Sequence, residues 1–220
     1  MCDTNAAKLM SKKIWDISQK LRLGLPVWPT DTAFKITNKM KIEQGASVNV
    51  SAILMSSHSG THADAPMHYD SNAEDISDTR LDYYVGECLV IDARGSKPLI
   101  TVDTLPNLQG VERVLFKTYS NFPRDFWDHT FTAIAPSTIK YLATSGVKLV
   151  GIDSPSIDPQ DSKTMDAHKA VLVADMRILE GLVLDDVSEG IYELIALPLA
   201  IEGGDASPVR AILRQIDHVS

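Results

Sequence analysis

The sequence predicts a single α/β domain built on a mixed β-sheet, and three observations support this prediction. The chain has 220 residues, of which 44% are hydrophobic and 23% charged, so it can bury one sizeable core. Short segments of its first half alternate apolar and polar residues, which is typical of half-buried strands. Its second half alternates apolar runs with helix-like segments, which is the rhythm of βα units.

The first half contains five predicted strands. Ile14–Ser18 alternates and opens the domain, so we assign residues 14–220 to the domain and residues 1–13 to an N-terminal extension. The other four strands of this half are Lys35–Thr37, Ser47–Leu54, Cys88–Asp92 and Val114–Phe116.

The second half begins with a predicted helix at Pro136–Ser145, which has proline at its start and Gly146 after its end. A strand follows at Val147–Ile152, and Asp166 can cap a helix that carries His168 in its first turn. The remaining elements are predicted as strands at Val183–Leu184 and Tyr192–Ile201 and a last helix that starts at Asp205–Pro208 with Ser207 as its cap.

Composition excludes several classes of partner. The net charge is −8 with a pI near 5.2 and no long basic run, so neither nucleic acid nor an anionic membrane is expected. Cys2 and Cys88 do not form a disulfide framework, and Cys88 lies in an apolar run that favours a buried thiol. Met1–Thr4 lacks the pattern of a signal peptide and no apolar run spans a bilayer, which predicts a cytoplasmic protein.

One stretch, Ser57–His68, concentrates the residues that bind metals. Three of the six histidines and an aspartate fall within eleven residues: His58, His62, Asp64 and His68. Neutral imidazole and carboxylate are the ligands that divalent metals such as zinc favour. The alternative is three surface histidines on a loop, but the clustering of four ligand-type residues favours a metal site that activates water.

The spacing requires this stretch to curl. In a flat strand the ends of the cluster would lie about 33 Å apart, and a helix would turn Asp64 away from His62 and be interrupted at Pro66. Gly60 and Pro66 permit a tight, irregular path. Curled in this way, His58, His62 and Asp64 can converge on one ion with His68 just beyond.

Two remote residues could complete the site. His168 and Glu180 are twelve residues apart, about 18 Å along a helix, so the chain must reverse between them if they share a metal. Glu180 lies between apolar residues, either at a strand end or buried with a partner. Trp28 is either a core anchor or the wall of a pocket, and the aromatic segment 121–130 is either a cover over the site or a plain loop. His129 and His218 do not belong to a comparable cluster of candidate ligands and are expected to be exposed.

The histidine stretch resembles the signature of the cyclase-like metal-dependent hydrolases, and in particular the branch that hydrolyses aryl formamides. The residues that carry the resemblance are His58–His68, Trp28-Pro29, Gly151–Pro159, Asp161–His168, Ile178–Leu182 and Gly204–Arg210. Thr30 departs from the family pattern, which has glycine after Trp-Pro. This difference affects the shape of the loop that would line the substrate pocket.

The resemblance implies a homodimer of swivelling β/β/α fold with two zinc ions per subunit, although manganese also suits such ligands. His58, His62 and Asp64 would bind the first ion and His168 the second, with Asp64 and Glu180 bridging. His68 would be the catalytic proton donor and acceptor, and Trp28 would line the substrate pocket.

The reaction implied is hydrolysis of a small aryl formamide. A metal-activated hydroxide would attack the formyl carbonyl of N-formyl-L-kynurenine, giving L-kynurenine and formate in tryptophan degradation. One alternative is a sibling enzyme that opens a cyclic amide such as isatin on the same metals. The other is a structural metal site without catalysis, which is disfavoured because structural zinc sites are usually saturated with cysteine and histidine.

Overall fold

A computed structural model describes residues 12–216. The strands are β1 (Ile14–Asp16), β2 (Lys35–Met40), β3 (Val50–Leu54), β4 (His62–Asp64), β5 (Val85–Asp92), β6 (Leu99–Ile100), β7 (Arg113–Lys117), β8 (Ala133–Ile134), β9 (Leu149–Ile152), β10 (Arg177–Glu180), β11 (Gly190–Ile195), β12 (Ala206–Pro208) and β13 (Ile212–Arg214). The α-helices are α1 (Pro136–Thr144) and α2 (Asp166–Val173). Residues 1–11 of the proposed extension and His218 lie outside the described residues.

Nine strands form one mixed sheet in the order β1-β13-β11-β5-β7-β9-β10-β4-β12. Its centre is parallel, because β5, β7, β9 and β10 run in the same direction. The strands on either side pair antiparallel. The predicted single α/β domain with a mixed sheet is therefore confirmed.

The sheet is strongly curled. Only the segment from Pro208 to Ile212 connects β12 with β13, and such a segment spans at most about 14 Å. In a flat sheet, the seven strand spacings between β12 and β13 would separate them by about 34 Å. The two ends of the sheet must therefore approach one another, which encloses part of the core.

The central strands are buried on both faces, which explains their continuous apolar runs. Val114 and Phe116 belong to the core beneath the helices, where Ile139 of α1 and Val171 of α2 also lie. Leu115, between them in sequence, points to the opposite core, inside the curl. Successive residues of a strand point to opposite faces, so both faces of this sheet must be apolar.

Two predicted elements of the C-terminal part are wrong, and a third, the strand at Tyr192–Ile201, is confirmed with different bounds. Val183–Leu184 is a loop whose Val183 amide donates to the Ile17 carbonyl. The strand predicted for Tyr192–Ile201 ends at Ile195, three residues before Pro198, which has no amide hydrogen to donate to a ladder.

The other wrong element is the last helix, which is replaced by β12. Ser207 does not cap a helix, because its hydroxyl donates to the Pro208 carbonyl and accepts from the Leu199 amide. β12 instead pairs with β4 and covers the outer edge of that short strand. The local proline and serine signal favoured a helix, but the unpaired edge of β4 takes this segment as a strand.

β2 and β3 form a two-stranded hairpin that is separate from the nine-stranded sheet. Every residue of β2 is exposed, and large apolar side chains such as Ile36 (46% exposed) and Ile53 (60%) face outward. Between residues 12 and 216, the structure contains no helix of the length and hydropathy that crossing a membrane would require.

Candidate metal centre and substrate cleft

The short strand β4 is the base of the candidate site. It lies between β10 and β12, with Glu180 directly opposite His62. His62 and Asp64 are two residues apart and therefore share a face, and Glu180 faces the same side as its cross-strand partner. β3, which precedes the histidine stretch in the chain, belongs to the exposed hairpin, so the rigid base of the site is β4 within the main sheet.

Two glycines bring the histidine loop against the end of β10. Gly181 follows Glu180 with φ +64°, and a β-carbon there would lie 2.5 Å from the Gly60 carbonyl oxygen. Gly60 itself has φ +72°, as the predicted curl requires. Thr61 fixes the approach, because its hydroxyl donates to the Gly181 carbonyl at 2.7 Å and accepts from the Gln19 amide at 2.8 Å.

The other predicted site residues reach the same centre from different elements. His58 lies in the loop before β4, His68 ends a 3₁₀ turn at Pro66–His68, and His168 lies in the first turn of α2. The chain reverses between α2 and β10, as expected if His168 and Glu180 are to meet. The structure thus brings together His58, His62, Asp64, His68, His168 and Glu180.

The two buried carboxylates each face in two directions. Asp64 Oδ1 lies 3.1 Å from His58 Nδ1 and 3.4 Å from His62 Nε2, whereas Oδ2 lies 3.5 Å from His168 Nε2. Glu180 Oε2 lies 3.4 Å from His62 Nε2, and Oε1 lies 3.5 Å from His168 Nε2. One oxygen of each acid therefore faces His62 and the other faces His168, which is the arrangement that two bridged cations would need.

The outer nitrogen of each histidine predicted to bind a metal has an acceptor. His62 Nδ1 lies 3.0 Å from the Gly60 carbonyl, His168 Nδ1 2.7 Å from Asp158, and His58 Nε2 3.0 Å from Asp205. A proton on each of these outer nitrogens leaves the inner nitrogen with a free lone pair, and metal-binding histidines are commonly held in this way.

Asp158 also caps α2, a role that we had assigned to Asp166. Its carboxylate oxygens accept hydrogen bonds from the Ala167 amide at 3.1 Å and from the His168 amide at 3.0 Å. Asp166 is the first residue of the helix and makes no such cap. The aspartate from the preceding loop thus fixes the helix and the His168 ring together.

The electrostatics of the centre favour positive charge. Burial opposes the charged imidazole, yet Asp205 and Asp64 outweigh it and raise the pKa of His58 to about 9. Asp64 and Glu180 likewise raise the pKa of His62 to about 10. Burial would raise the pKa of Asp64, but the surrounding imidazoles hold it well below its ordinary value. His68 differs, because burial lowers its pKa and favours its neutral form.

Unpaired polar atoms test whether these residues fit a metal. Among the described residues, both oxygens of Asp64 and Nε2 of His62 are buried and lack a hydrogen-bond partner. The imidazoles lie close to Asp64 but none is oriented to donate to it. A fully buried carboxylate that makes no hydrogen bond is costly even beside imidazoles. Nitrogen and carboxylate donors are the ligands that divalent cations favour, and bound cations would satisfy these atoms.

An aromatic cleft of about 510 Å³ opens onto the histidines. The Trp28 ring packs edge-on against Trp127 at 5.5 Å and Phe131 at 6.3 Å between ring centroids. Phe122, Phe126 and Trp127 of the 121–130 segment line this cleft, so the segment forms one wall of the candidate site. Trp28 is 37% exposed, which makes it a wall residue and not a core anchor.

A larger depression of about 900 Å³ lies beside this cleft, and Gln19 and Phe122 line both. It is lined by residues such as Lys13 and Arg22 and includes none of the histidines. The candidate site is the smaller cleft, because most of the predicted metal-binding residues line it.

Sequence reasoning missed the residues that support the site. Asp158 follows β9 in a loop where sites of parallel sheets gather, which is a usable signal. Asp205 was interpreted as part of a helix start, and nothing local in the sequence indicates that it reaches His58.

Comparison with known proteins identifies the class. A family model described as a putative cyclase matches residues 15–159, so the chain belongs to this family. Two relatives, both named kynurenine formamidase, come from Erythrobacter litoralis and Maricaulis maris. They are 56% and 52% identical to this chain, covering 93% of it and 95% and 99% of their own lengths. The expected resemblance is confirmed.

Solved structures agree on the fold. A potential metal-dependent hydrolase with cyclase activity has a TM-score of 0.83 at 32% identity, covering 94% of this chain and 100% of its own. Isatin hydrolase A from Labrenzia aggregata has a TM-score of 0.80 at 22% identity and covers 94% of each chain. The second likeness concerns the fold alone.

Proposed function

We propose that this protein hydrolyses N-formyl-L-kynurenine to L-kynurenine and formate, a step of tryptophan degradation. The observation that carries the proposal is the identity of 56% and 52% to two proteins named kynurenine formamidase over 93% of the chain. The buried cluster of metal donors beneath an aromatic cleft supplies the chemistry that such a reaction needs.

We assign two zinc ions to each subunit, with manganese as a possible substitute. His58, His62 and Asp64 would hold the first ion and His168 the second. Asp64 and Glu180 would bridge them, because each presents one oxygen to His62 and the other to His168. When bound, the cations supply Lewis acidity and lower the pKa of water, so that hydroxide is available at neutral pH.

His68 is the proton carrier in this proposal. Hydrolysis adds water to the formyl carbon and breaks the bond to the aryl nitrogen, which must gain a proton as it leaves. Burial lowers the pKa of His68, so at neutral pH its ring has a lone pair to take a proton and can then pass that proton on. Its ring centroid lies 4.1 Å from that of His58, beside the metal donors.

Trp28 and the aromatic side chains opposite it would bind the substrate ring. Edge-on and offset contacts between aromatic rings are favourable at the separations that this wall already shows. The cleft would thereby place the formyl group over the donors and exclude bulk water from the ring side.

The hairpin of β2 and β3 supports a homodimer. Two-stranded hairpins are marginally stable alone, and this one exposes apolar side chains that a second copy could cover. We also propose a cytoplasmic location, which suits the buried free thiol of Cys88.

Parallel assays test the proposed function. Purified protein should contain close to two metal ions per subunit and hydrolyse N-formyl-L-kynurenine with a kcat/KM at least about tenfold above that for isatin, the discrimination expected when a pocket fits one ring system better. Preference for isatin would point to the sibling activity. Bound metal without turnover of either amide would leave only a structural metal site.

A further inference from the structure

Asp205 is held rigidly beside the metal donors by its own backbone. Its carbonyl accepts a hydrogen bond from the Ala65 amide at 2.9 Å, and the preceding Gly204 carbonyl accepts one from the Ile76 amide at 2.9 Å. It directly precedes β12, whose first residue, Ala206, pairs with Asp64. The carboxylate therefore has a fixed origin next to the candidate centre.

The two oxygens of Asp205 do different things. Oδ1 accepts a hydrogen bond from the Ser57 hydroxyl at 2.8 Å, which fixes the rotation of the carboxylate. Oδ2 lies 3.0 Å from His58 Nε2 and 3.6 Å from His68 Nδ1. One oxygen thus faces two imidazoles, one proposed as a metal ligand and the other as the proton carrier.

We propose that Asp205 is a positioning residue that sets the orientation of both His58 and His68 through this single oxygen. The Nε2 proton of His58 donates to Asp205, which turns Nδ1 toward Asp64, 3.1 Å away, so that a bound cation would use the Nδ1 lone pair of the neutral ring. The same oxygen lies 3.6 Å from His68 Nδ1, beyond hydrogen-bond distance, and the charge of the carboxylate favours the ring orientation that keeps Nδ1 toward it. This inference rests on the proposed function for the role of His68 but not for the role of His58.

Asp205 differs in this respect from the other two outer partners. Among the histidines that the structure describes, the Gly60 carbonyl faces the ring of His62 alone, and Asp158 faces that of His168. Loss of either should disturb one ligand, whereas loss of Asp205 should disturb a ligand and the proton carrier together. This joint effect is what distinguishes the proposal from ordinary support of a metal site.

Four variants test the proposal. Asp205→Ala removes the acceptor, and Asp205→Asn keeps an amide oxygen that can occupy the same place with its NH₂ toward Ser57. Ser57→Ala frees the rotation of the carboxylate. Glu202→Gln is the matched control, because it removes an exposed carboxylate from the same loop. The measurements are the zinc dissociation constant by competition with a chromophoric chelator, kcat and KM at saturating zinc, and the melting temperature of the metal-free protein.

We expect Asp205→Ala to weaken zinc binding by about 10- to 100-fold, the usual effect of losing an outer partner. Its kcat on N-formyl-L-kynurenine at saturating zinc should fall at least about tenfold with KM nearly unchanged, because orientation of a proton carrier acts on the chemical step. Asp205→Asn should recover most of both losses, Ser57→Ala should show a smaller loss of both, and Glu202→Gln should behave as wild type.

Three results would overturn the proposal. Asp205→Ala with unchanged zinc affinity and kcat would make the residue a bystander. Asp205→Asn as impaired as Asp205→Ala would mean that charge matters and positioning does not. A fall in the melting temperature of the metal-free protein that accounts for both losses would indicate a structural role. If wild-type protein binds zinc but does not hydrolyse the formamide, the proposed function fails. The zinc dissociation constants of the variants would still test whether Asp205 positions His58.

Discussion

The β4–β10 pair and the β2–β3 hairpin reverse the usual relation between polarity and burial. In β4 the polar residues His62 and Asp64 are 3% and 0% exposed, although polar groups normally face water. In the hairpin, Ile53 and Leu54 are 60% and 56% exposed, although such residues normally face a core. Each region is therefore incomplete as an isolated chain. We infer that a cation would balance the buried polar groups of the first region and that an apolar surface would cover the exposed side chains of the second.

The largest effect should come from removing the charge that β4 buries. Asp64→Asn keeps the shape of the side chain but cannot bridge two cations, so we expect loss of bound metal and a fall in kcat of at least about 1,000-fold, consistent with several kcal/mol of metal stabilisation. Metal analysis and turnover measure this. Asp70→Asn, in the turn after His68, is the control, and a fully active, metal-loaded Asp64→Asn would refute the bridging assignment.

Replacing His68 should separate chemistry from metal binding. His68→Ala is expected to lower kcat by about 10²- to 10⁴-fold, the range for losing a proton carrier, while metal content stays at the wild-type level. The exposed His129 provides the matched variant His129→Ala, which should keep full activity. A parallel loss of metal in His68→Ala would reassign this residue as a ligand, since its ring lies within reach of His58 and Asp64.

Metal removal should change how stability depends on pH. In the metal-free state the pKa values of His58 and His62 are about 9 and 10, above the ordinary 6.5. Groups with a raised folded pKa stabilise the fold fully below the unfolded value and lose that effect as pH rises through the folded one. We expect the melting temperature of the metal-free protein to fall between about pH 7 and pH 10.

Saturating zinc should remove much of that fall in melting temperature. The bound cation then supplies the positive charge beside the carboxylates that the imidazole protons supply in the metal-free protein. Thermal melts with and without metal at each pH test this. Parallel curves in the two states would show that the histidines are not where the cation binds.

A substitution in the hairpin should change the association of subunits and leave catalysis unchanged. Ile53→Lys places a charge on the exposed apolar face, so we expect dissociation of the proposed homodimer with less than about 0.5 kcal/mol change in the stability of the subunit, as for other exposed sites. Size-exclusion chromatography with light scattering measures the mass. Val173→Lys changes an equally apolar residue that is 89% exposed on α2 and should leave the mass unchanged. A wild-type protein that is already monomeric would remove the hairpin argument.

The smallest effect concerns the rim of the cleft at Thr30. The Asp31 amide donates to the Trp28 carbonyl at 2.9 Å, and Thr30 has φ +78° at the third position of this turn, where glycine is favoured. A β-branched residue is strained there, so Thr30→Gly should stabilise the protein by up to about 1 kcal/mol after the entropy cost of glycine. Thr32→Gly lacks positive φ and should destabilise. Urea unfolding compares the two, and destabilisation by Thr30→Gly would mean that side-chain contacts outweigh the strain.

Sequence reasoning succeeded where local pattern and packing agree. The strands around Cys88 and Leu115 and the helix from Pro136 follow from apolar runs and terminal signals, and the structure confirms them. It failed at Asp205–Pro208, where serine and proline favour a helix but the open edge of β4 recruits a strand. The structure also decides that the 121–130 segment forms a wall of the cleft, a choice that the sequence left open.

The sequence by itself determined which residues could bind a metal, because a cluster of imidazoles and a carboxylate around Gly60 and Pro66 is a property of composition and spacing. It also determined the mixed sheet through its hydrophobic periodicity. Only the tertiary structure decided that β4 lies between β10 and β12, that each acid faces two histidines, and that Asp205 reaches His58. Most of those relations join residues more than 100 positions apart, and no local pattern encodes them because they arise when the sheet curls and closes.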